Sequence, residues 1–107
     1  MIHIRFDALK CGAIGMHLAG HAASVPAGEV DPVCAAACML AYTFESALKA
    51  YGPVAMELKS GSGRVLAHPA KARRAAALIA ARTVEAGCRA LAAAYPDCVE
   101  VAPWAKH

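Results

Sequence analysis

Four residues that could do chemistry crowd into one stretch of this 107-residue chain: His17, His21, Cys34 and Cys38. Asp31-Pro32 stands directly upstream of the first of these cysteines. Three chemistries are open to such a set. As a metal site, Cys34 and Cys38 would share one face of a helix and chelate zinc together with His17 and His21. The histidines resist this, because His17 falls on a strand pattern where four residues span about 13 Å. Only a sharp turn at Gly20 would bring His21 back toward it. As a nucleophile, Cys34 would lie in the first turn of a helix capped by Asp31. Unpaired N–H groups and the helix dipole favour a thiolate there, and a neighbouring imidazole could take its proton. The charge of Asp31 opposes a nearby thiolate even as its capping stabilises the helix. The third reading is a small buried cysteine with an incidental histidine. Residue types and spacing leave all three open.

The elements that must position these residues follow from periodicity. Ile2, Ile4, Phe6 and Ala8 alternate with His3, Arg5 and Asp7. After Leu9-Lys10-Cys11-Gly12 the alternation resumes, with Ile14, Met16 and Leu18 inward and Gly15, His17 and Ala19 outward. This is a β-hairpin with one wet face. Residues 22–30, with Pro26 and Gly28, read as a loop. Asp31 fits an N-cap and Pro32 the first helical position, after which Val33, Ala37, Leu40, Phe44 and Leu48 recur at helical spacing. Gly52-Pro53 stops that helix. Val54 to Lys59 alternates as a strand, Ser60-Gly61-Ser62-Gly63 turns, and Arg64 to Ala67 returns. A long helix from about Pro69 to Ala94 carries Ala77, Ala81, Val84, Cys88, Leu91 and Tyr95 on its buried stripe. Lys71, Arg74, Arg82 and Arg89 share another of its faces, which is either solvated or a contact for RNA or acidic chain. Cys98 to Ala102 is a last strand. The pattern predicts an α+β two-layer sandwich with a mostly antiparallel sheet and two helices.

Composition bounds the possibilities. A chain of this length forms one domain, 1–107. Hydrophobic residues make up 59%, but 28 of them are alanines, so the figure reports helix-favouring composition as much as core. The charge-free run from Pro32 to Phe44 is shorter than the roughly 20 apolar residues of a membrane span. Arg5, Asp7 and Lys10 break any apolar secretory core at the start, so a cytoplasmic location is expected. The net charge of +3 permits nucleic-acid contact without arguing for it. Five cysteines, an odd number with no Cys-x-x-Cys pair, argue for reduced thiols. Cys11 reads as a turn residue, Cys88 and Cys98 as small packing residues, and Trp104 as packing a terminal segment or a dimer seam.

Gly20-His21-Ala22, then Gly28, then Asp31-Pro32-Val33-Cys34-Ala35-Ala36 resembles the paired signature of the ribosomal-processing cysteine protease family, Prp. Its pattern is Gly-His-Ala, a glycine-containing loop, then Asp-x-Val-Cys-Ala-Ala-x-Ser. The ending, Ala94-Tyr95-Pro96 before Val99 and Val101, is similar as well. The resemblance implies a cysteine endopeptidase that removes the N-terminal extension of a bacterial large-subunit ribosomal protein, number twenty-seven in the usual naming. Cys34 would be its nucleophile and His21 its general base. Gly20 would allow the turn beside the histidine, Asp31 would support the helix start, and residues 22–30 would form a mobile cover. Oxyanion donors are expected among the N–H groups opening the first helix. The resemblance further implies a homodimer and calls for no cofactor. No metal, no membrane and no direct nucleic-acid contact are expected from the residues themselves: His17 and His21 diverge on extended chain, the apolar runs are short, and the charge is mild. Two departures stand out. Cys38 replaces the family's serine, a better hydrogen-bond donor, and the loop is one residue longer, which costs little. A non-catalytic ribosome-assembly or interaction module with the same fold is the alternative.

Overall fold

The computed structural model describes residues 1–106. Strand β1 (Ile2–Ala8) pairs antiparallel with β2 (Ile14–Ala19), from His3 against Ala19 to Ala8 against Ile14. β4 (Ser62–Ala67) lies antiparallel on the other side of β2, and β3 (Val54–Lys59) lies antiparallel outside β4. β5 (Val99–Val101) and β6 (Ala105–Lys106) both run parallel to β1. The sheet is therefore mixed, in the order β3-β4-β2-β1-β5, with an antiparallel majority. Its parallel edge exists because α2 carries the chain from β4 over to the far side of β1, the crossover that parallel pairing demands. Helices α1 (Pro32–Leu48) and α2 (Arg74–Ala94) form the second layer.

The alternation of β1 and β2 aims Ile2, Ile4, Phe6, Ile14 and Met16 at the helices, and all five are buried. Val33, Ala37, Ala41, Phe44 and Leu48 of α1 meet them, as do Ala77, Ala81, Val84 and Cys88 of α2. Alanine at these positions lets helix and sheet approach closely. Where α1 meets α2, Leu40 packs onto Gly87, and a Cβ there would stand 2.9 Å from its Cδ2. Phe6 ties the layers together, with Phe44 tilted against it at 6.0 Å and Trp104 stacked on it at 5.4 Å. Trp104 thus packs the terminal segment, and Arg82 lies 4.1 Å over its ring.

Several local expectations need correction. Ser62 and Gly63 belong to β4, so the turn is only Ser60-Gly61. A 3₁₀ turn, Lys71–Arg73, precedes α2, which begins at Arg74 rather than near Pro69. Tyr95 is 48% exposed, because at φ −131° the chain has already left the helix and the apolar stripe ends at Leu91. The outer sheet face is not wet throughout. Asp7 is only 8% exposed, lying across Gly15, where any Cβ would meet its carboxylate. The arginine face is not a free basic surface. Arg82 and Arg89 both bond the buried Glu85, at 3.0 and 2.9 Å, and Arg74 Nη2 donates to the Cys11 carbonyl at 2.8 Å.

Candidate active site

The site lies where β2 ends, and it is built by three segments. The first is the chain leaving β2. The β2–β4 ladder pairs Ala19 with Ser62, and its next rung is the bond from Gly20 N–H to the Gly61 carbonyl, 2.9 Å. Gly20 has φ +98°, and a side chain there would run into the Met1 carbonyl, so only glycine fits. His21 follows, exposed, with its ring against Gly61. Ala22 turns back inward, 4% exposed, and its N–H donates to Cys34 Sγ at 3.3 Å. Ala23 then takes a left-handed φ of +52°, a conformation costing roughly 1–2 kcal/mol for a residue with a Cβ. That turn delivers Ser24 to Asp31, which offsets the cost. Ser24 N–H donates to Oδ2 at 2.8 Å and Ser24 Oγ to Oδ1 at 2.5 Å.

The second segment is the start of α1. Asp31 is its N-cap, at φ −88° and ψ 114°, and Oδ1 accepts from Val33 N–H at 2.9 Å and Cys34 N–H at 3.2 Å. Pro32, at the first helical position, has no N–H to lose. Asp31 therefore clasps the loop to the helix as well as capping it. The Ser24 hydroxyl holds its carboxyl below the ordinary value, against some desolvation, with the backbone N–H groups of Ser24, Cys34 and Val33 adding to the effect. This occupancy corrects one expectation. The first-turn N–H groups of Val33 and Cys34 are already spent on the cap, so the donor aimed at the sulfur is Ala22 N–H.

The third segment, the β3–β4 turn, had no sign of chemistry in the sequence. Ser60 and Gly61 line an apolar groove of about 200 Å³ that runs along the end of the sheet under α1. Its floor is Leu18, Leu58 and Gly63, and Cys34 and Cys38 stand on its helical wall. Gly63 gives the floor's Leu58 side chain its room, since a Cβ there would stand 2.6 Å from Leu58 Cδ2. A second hollow of about 300 Å³ lies under the loop, between Val25, Pro26 and Asp31. His21 and Cys34 are the two residues that line both.

Of the residues the sequence singled out, Gly20, His21, Asp31, Cys34 and Cys38 gather here. His17 does not. It sits on the opposite face of the sheet with Nε2 3.3 Å from Asp7 Oδ1, so the four donors of the zinc reading do not converge. No group of three or more metal-ligating side chains forms among the described residues. Cys34 is half-buried, and Cys38 and Cys11 are exposed. Cys88 is out of contention, because burial, with Glu85 adding and Arg89 opposing, pushes its thiol up to about 12.

A two-layer α+β fold with a half-buried cysteine at a capped helix start, opening between two hollows, has the form of a thiol hydrolase site. Residues 1–100 match the family model described as cysteine protease Prp, and the chain belongs to that family of cysteine proteases. The fold is shared with the essential ribosomal processing protease Prp of S. aureus, solved with a covalently linked product peptide. That likeness has a TM-score of 0.73 and 16% identity over 97% of this chain and 99% of that one. SMU.848 from Streptococcus mutans is similar too, with a TM-score of 0.71 and 23% identity over 100% of this chain and 96% of that one. The same S. aureus protease with a substrate peptide gives a TM-score of 0.70 at 15% identity, over 97% and 99% of the two chains. A comparison with curated proteins finds no match.

Proposed function

We propose that this cysteine protease is a ribosomal-processing endopeptidase in which Cys34 is the nucleophile and His21 the general base. Its substrate is the N-terminal extension of a bacterial large-subunit ribosomal protein. One observation carries the reading: His21 and Cys34 are the residues common to the groove and the loop hollow. A peptide laid from one to the other crosses the thiol at the junction, which is where a scissile bond belongs. The S. aureus relative, described as a ribosomal processing protease with peptide bound, supports the substrate class.

In the resting site no hydrogen bond joins the imidazole to Sγ among the described residues, and the sulfur accepts from Ala22 N–H. Substrate in the groove brings the ring onto the sulfur, as catalytic contacts commonly tighten on binding. His21 takes the thiol proton as Sγ attacks the carbonyl carbon, and the oxygen gains the electron pair of the C=O bond. With the Val33 and Cys34 N–H groups bonded to Asp31, Ala22 N–H beside the sulfur is the donor this reading assigns to that oxygen. Collapse expels the amine, protonated by His21, and leaves an acyl-thioester. Water, deprotonated by His21, then releases the acid and restores the thiol. Gly20 lets the chain turn beside the base, and Asp31 holds loop and helix together. Cys38 lies on the groove wall without a part in the proton transfers. A homodimer, drawn from the family resemblance, and a cytoplasmic location, drawn from the charges in the first ten residues, belong to the same reading. No helix among the described residues is long and apolar enough to cross a membrane.

The test is incubation with the ribosomal protein carrying its extension, followed by intact mass. The native protein shortens it, while Cys34→Ala folds and does not. Cleavage by Cys34→Ala, or none by the native chain on any such substrate, overturns the reading. The second outcome favours the non-catalytic assembly module.

A further inference from the structure

His21 is exposed and sits on a loop, and its ring makes no hydrogen bond among the described residues. What locates it is a place with no side chain. A Cβ on Gly61 would stand 2.8 Å from His21 Nε2, 3.4 Å from Cε1 and 3.5 Å from Cδ2. The Nε2 edge of the imidazole is therefore seated on the Cα of Gly61. The seat is fixed to the base's own backbone, because Gly20 N–H donates to the Gly61 carbonyl at 2.9 Å. Gly61 has φ +76°, so the turn presents its bare Cα toward the ring. Ser60, Gly61 and His21 all border the groove that holds Cys34.

We propose that Gly61 is a positioning residue for the reaction: the β3–β4 turn seats the His21 imidazole at the edge of the groove, within reach of Cys34. This rests on the reading of Cys34 and His21 as the catalytic pair. The seat confines a ring that would otherwise sweep through solvent on a glycine-hinged loop. Binding then moves the ring from this seat onto the sulfur across the groove that both residues line. A methyl group at Gly61 ends this. Ordinary carbon contacts are about 3.5–4.0 Å, so at 2.8 Å the ring must retreat by roughly 1 Å. Misplacement on that scale costs on the order of a hundredfold in rate.

Gly61→Ala is compared with His21→Ala and with Gly12→Ala. Gly12 bears the same kind of strain, φ +93°, in the β1–β2 turn at the opposite end of the sheet. Gly61→Ala is expected to lower kcat about a hundredfold with KM little changed. It should also alter the His21 ring proton and nitrogen shifts. Gly12→Ala should lower the melting temperature comparably and leave kcat and those shifts as they were. Native kcat in Gly61→Ala, or an equal kcat loss in Gly12→Ala, overturns the proposal. Undiminished cleavage by His21→Ala instead sinks the Cys-His reading itself, so the two failures are separable. Should Gly61→Ala not fold, the native protein decides. Nuclear Overhauser contacts between the His21 ring protons and the Gly61 α-protons are expected, and their absence overturns the seat.

Discussion

Gly63 is the floor of the groove and the position at which occupancy by substrate can be measured. It pairs with Leu18 on one side and Leu58 on the other, facing the helices. Its φ is ordinary for a strand, so Gly63→Val meets no backbone penalty and suits β geometry. The added Cβ would stand 2.6 Å from Leu58 Cδ2 and 3.4 Å from Leu18 Cδ1. The Leu58 contact is the free end of a side chain, which can swing, and the direction open to it is the groove. Valine adds three carbons, and the displaced end of Leu58 carries that volume into the groove, where a substrate side chain would lie. At about 0.8 kcal/mol per buried carbon, displaced burial reaches roughly 2.4 kcal/mol, or about 50-fold in kcat/KM. The loss should fall on KM, with kcat nearly unchanged, since Cys34 and His21 keep their places. Steady-state cleavage of a peptide spanning the extension reads both constants, and iodoacetamide, too small to need the groove, should label Cys34 at the native rate. A KM within twofold of native, in a variant that melts normally, would refute the assignment of this groove to substrate.

Three further outcomes follow from the same geometry. Asp31 has a folded carboxyl below its ordinary value of 3.8, so its contribution to stability is whole above that value and is lost as pH falls through the lower folded one; amide exchange at Ser24, Val33 and Cys34 should lose protection in that acid window, and unchanged protection there would contradict the clasp. Cys88, its thiol pushed up from 9.0 to about 12, holds on the order of a thousandfold less thiolate at neutral pH than an unperturbed cysteine; peptide mapping after limiting alkylation should find it unlabelled. Glu85→Gln leaves Arg82 and Arg89 without their shared carboxylate, and because both guanidiniums are about half exposed the loss should be nearer 1–2 kcal/mol than the 3–5 of a fully buried pair. Calorimetry should show this as a fall of about 4–8 °C per kcal/mol, and an unmoved transition would mean the pair contributes nothing.

Most of the fold was legible because its signals are local. The alternation of Ile2, Ile4 and Phe6 specifies a half-buried strand by itself, and Asp31-Pro32 ahead of Val33, Ala37 and Phe44 marks a helix start at the residue. What failed depended on distant chain. Asp7 reads as an outward charge by period, yet Gly15 on the next strand lets it lie flat and buried. The arginines of α2 read as a basic stripe; Glu85 stands at helical spacing from two of them, i,i+3 and i,i+4, but only packing against the rest of the fold shows that it is buried. Ser62-Gly63 reads as turn because glycine and serine favour turns. Pairing with β2 on one side and β3 on the other outweighs that preference.

The site divides along the same line. Gly20-His21-Ala22 and Asp31 to Cys34 could be found from sequence because each half is contiguous and carries its own constraint: a left-handed glycine in one, a cap in the other. The expectation that first-turn N–H groups would be free for an oxyanion was wrong for a reason the sequence contains but does not announce. An Asp cap strong enough to hold Ser24 as well takes those very donors. Ala22, whose backbone N–H no residue type could advertise, is left facing the sulfur. The β3–β4 turn was invisible for a related reason. Its contribution is the absence of atoms at Gly61 and Gly63, and a glycine kept for the space it leaves looks, in sequence, like a glycine kept for its φ. Gly63, in regular strand, and Gly61, at φ +76° with an imidazole against it, separate the two uses. In the first the missing side chain makes room for Leu58 on the groove floor, and in the second it makes room for the His21 ring. A cysteine and a histidine thirteen residues apart thus share one groove with a hairpin whose turn comes nearly forty residues after the histidine, tied to the histidine's segment by a single added rung of the sheet.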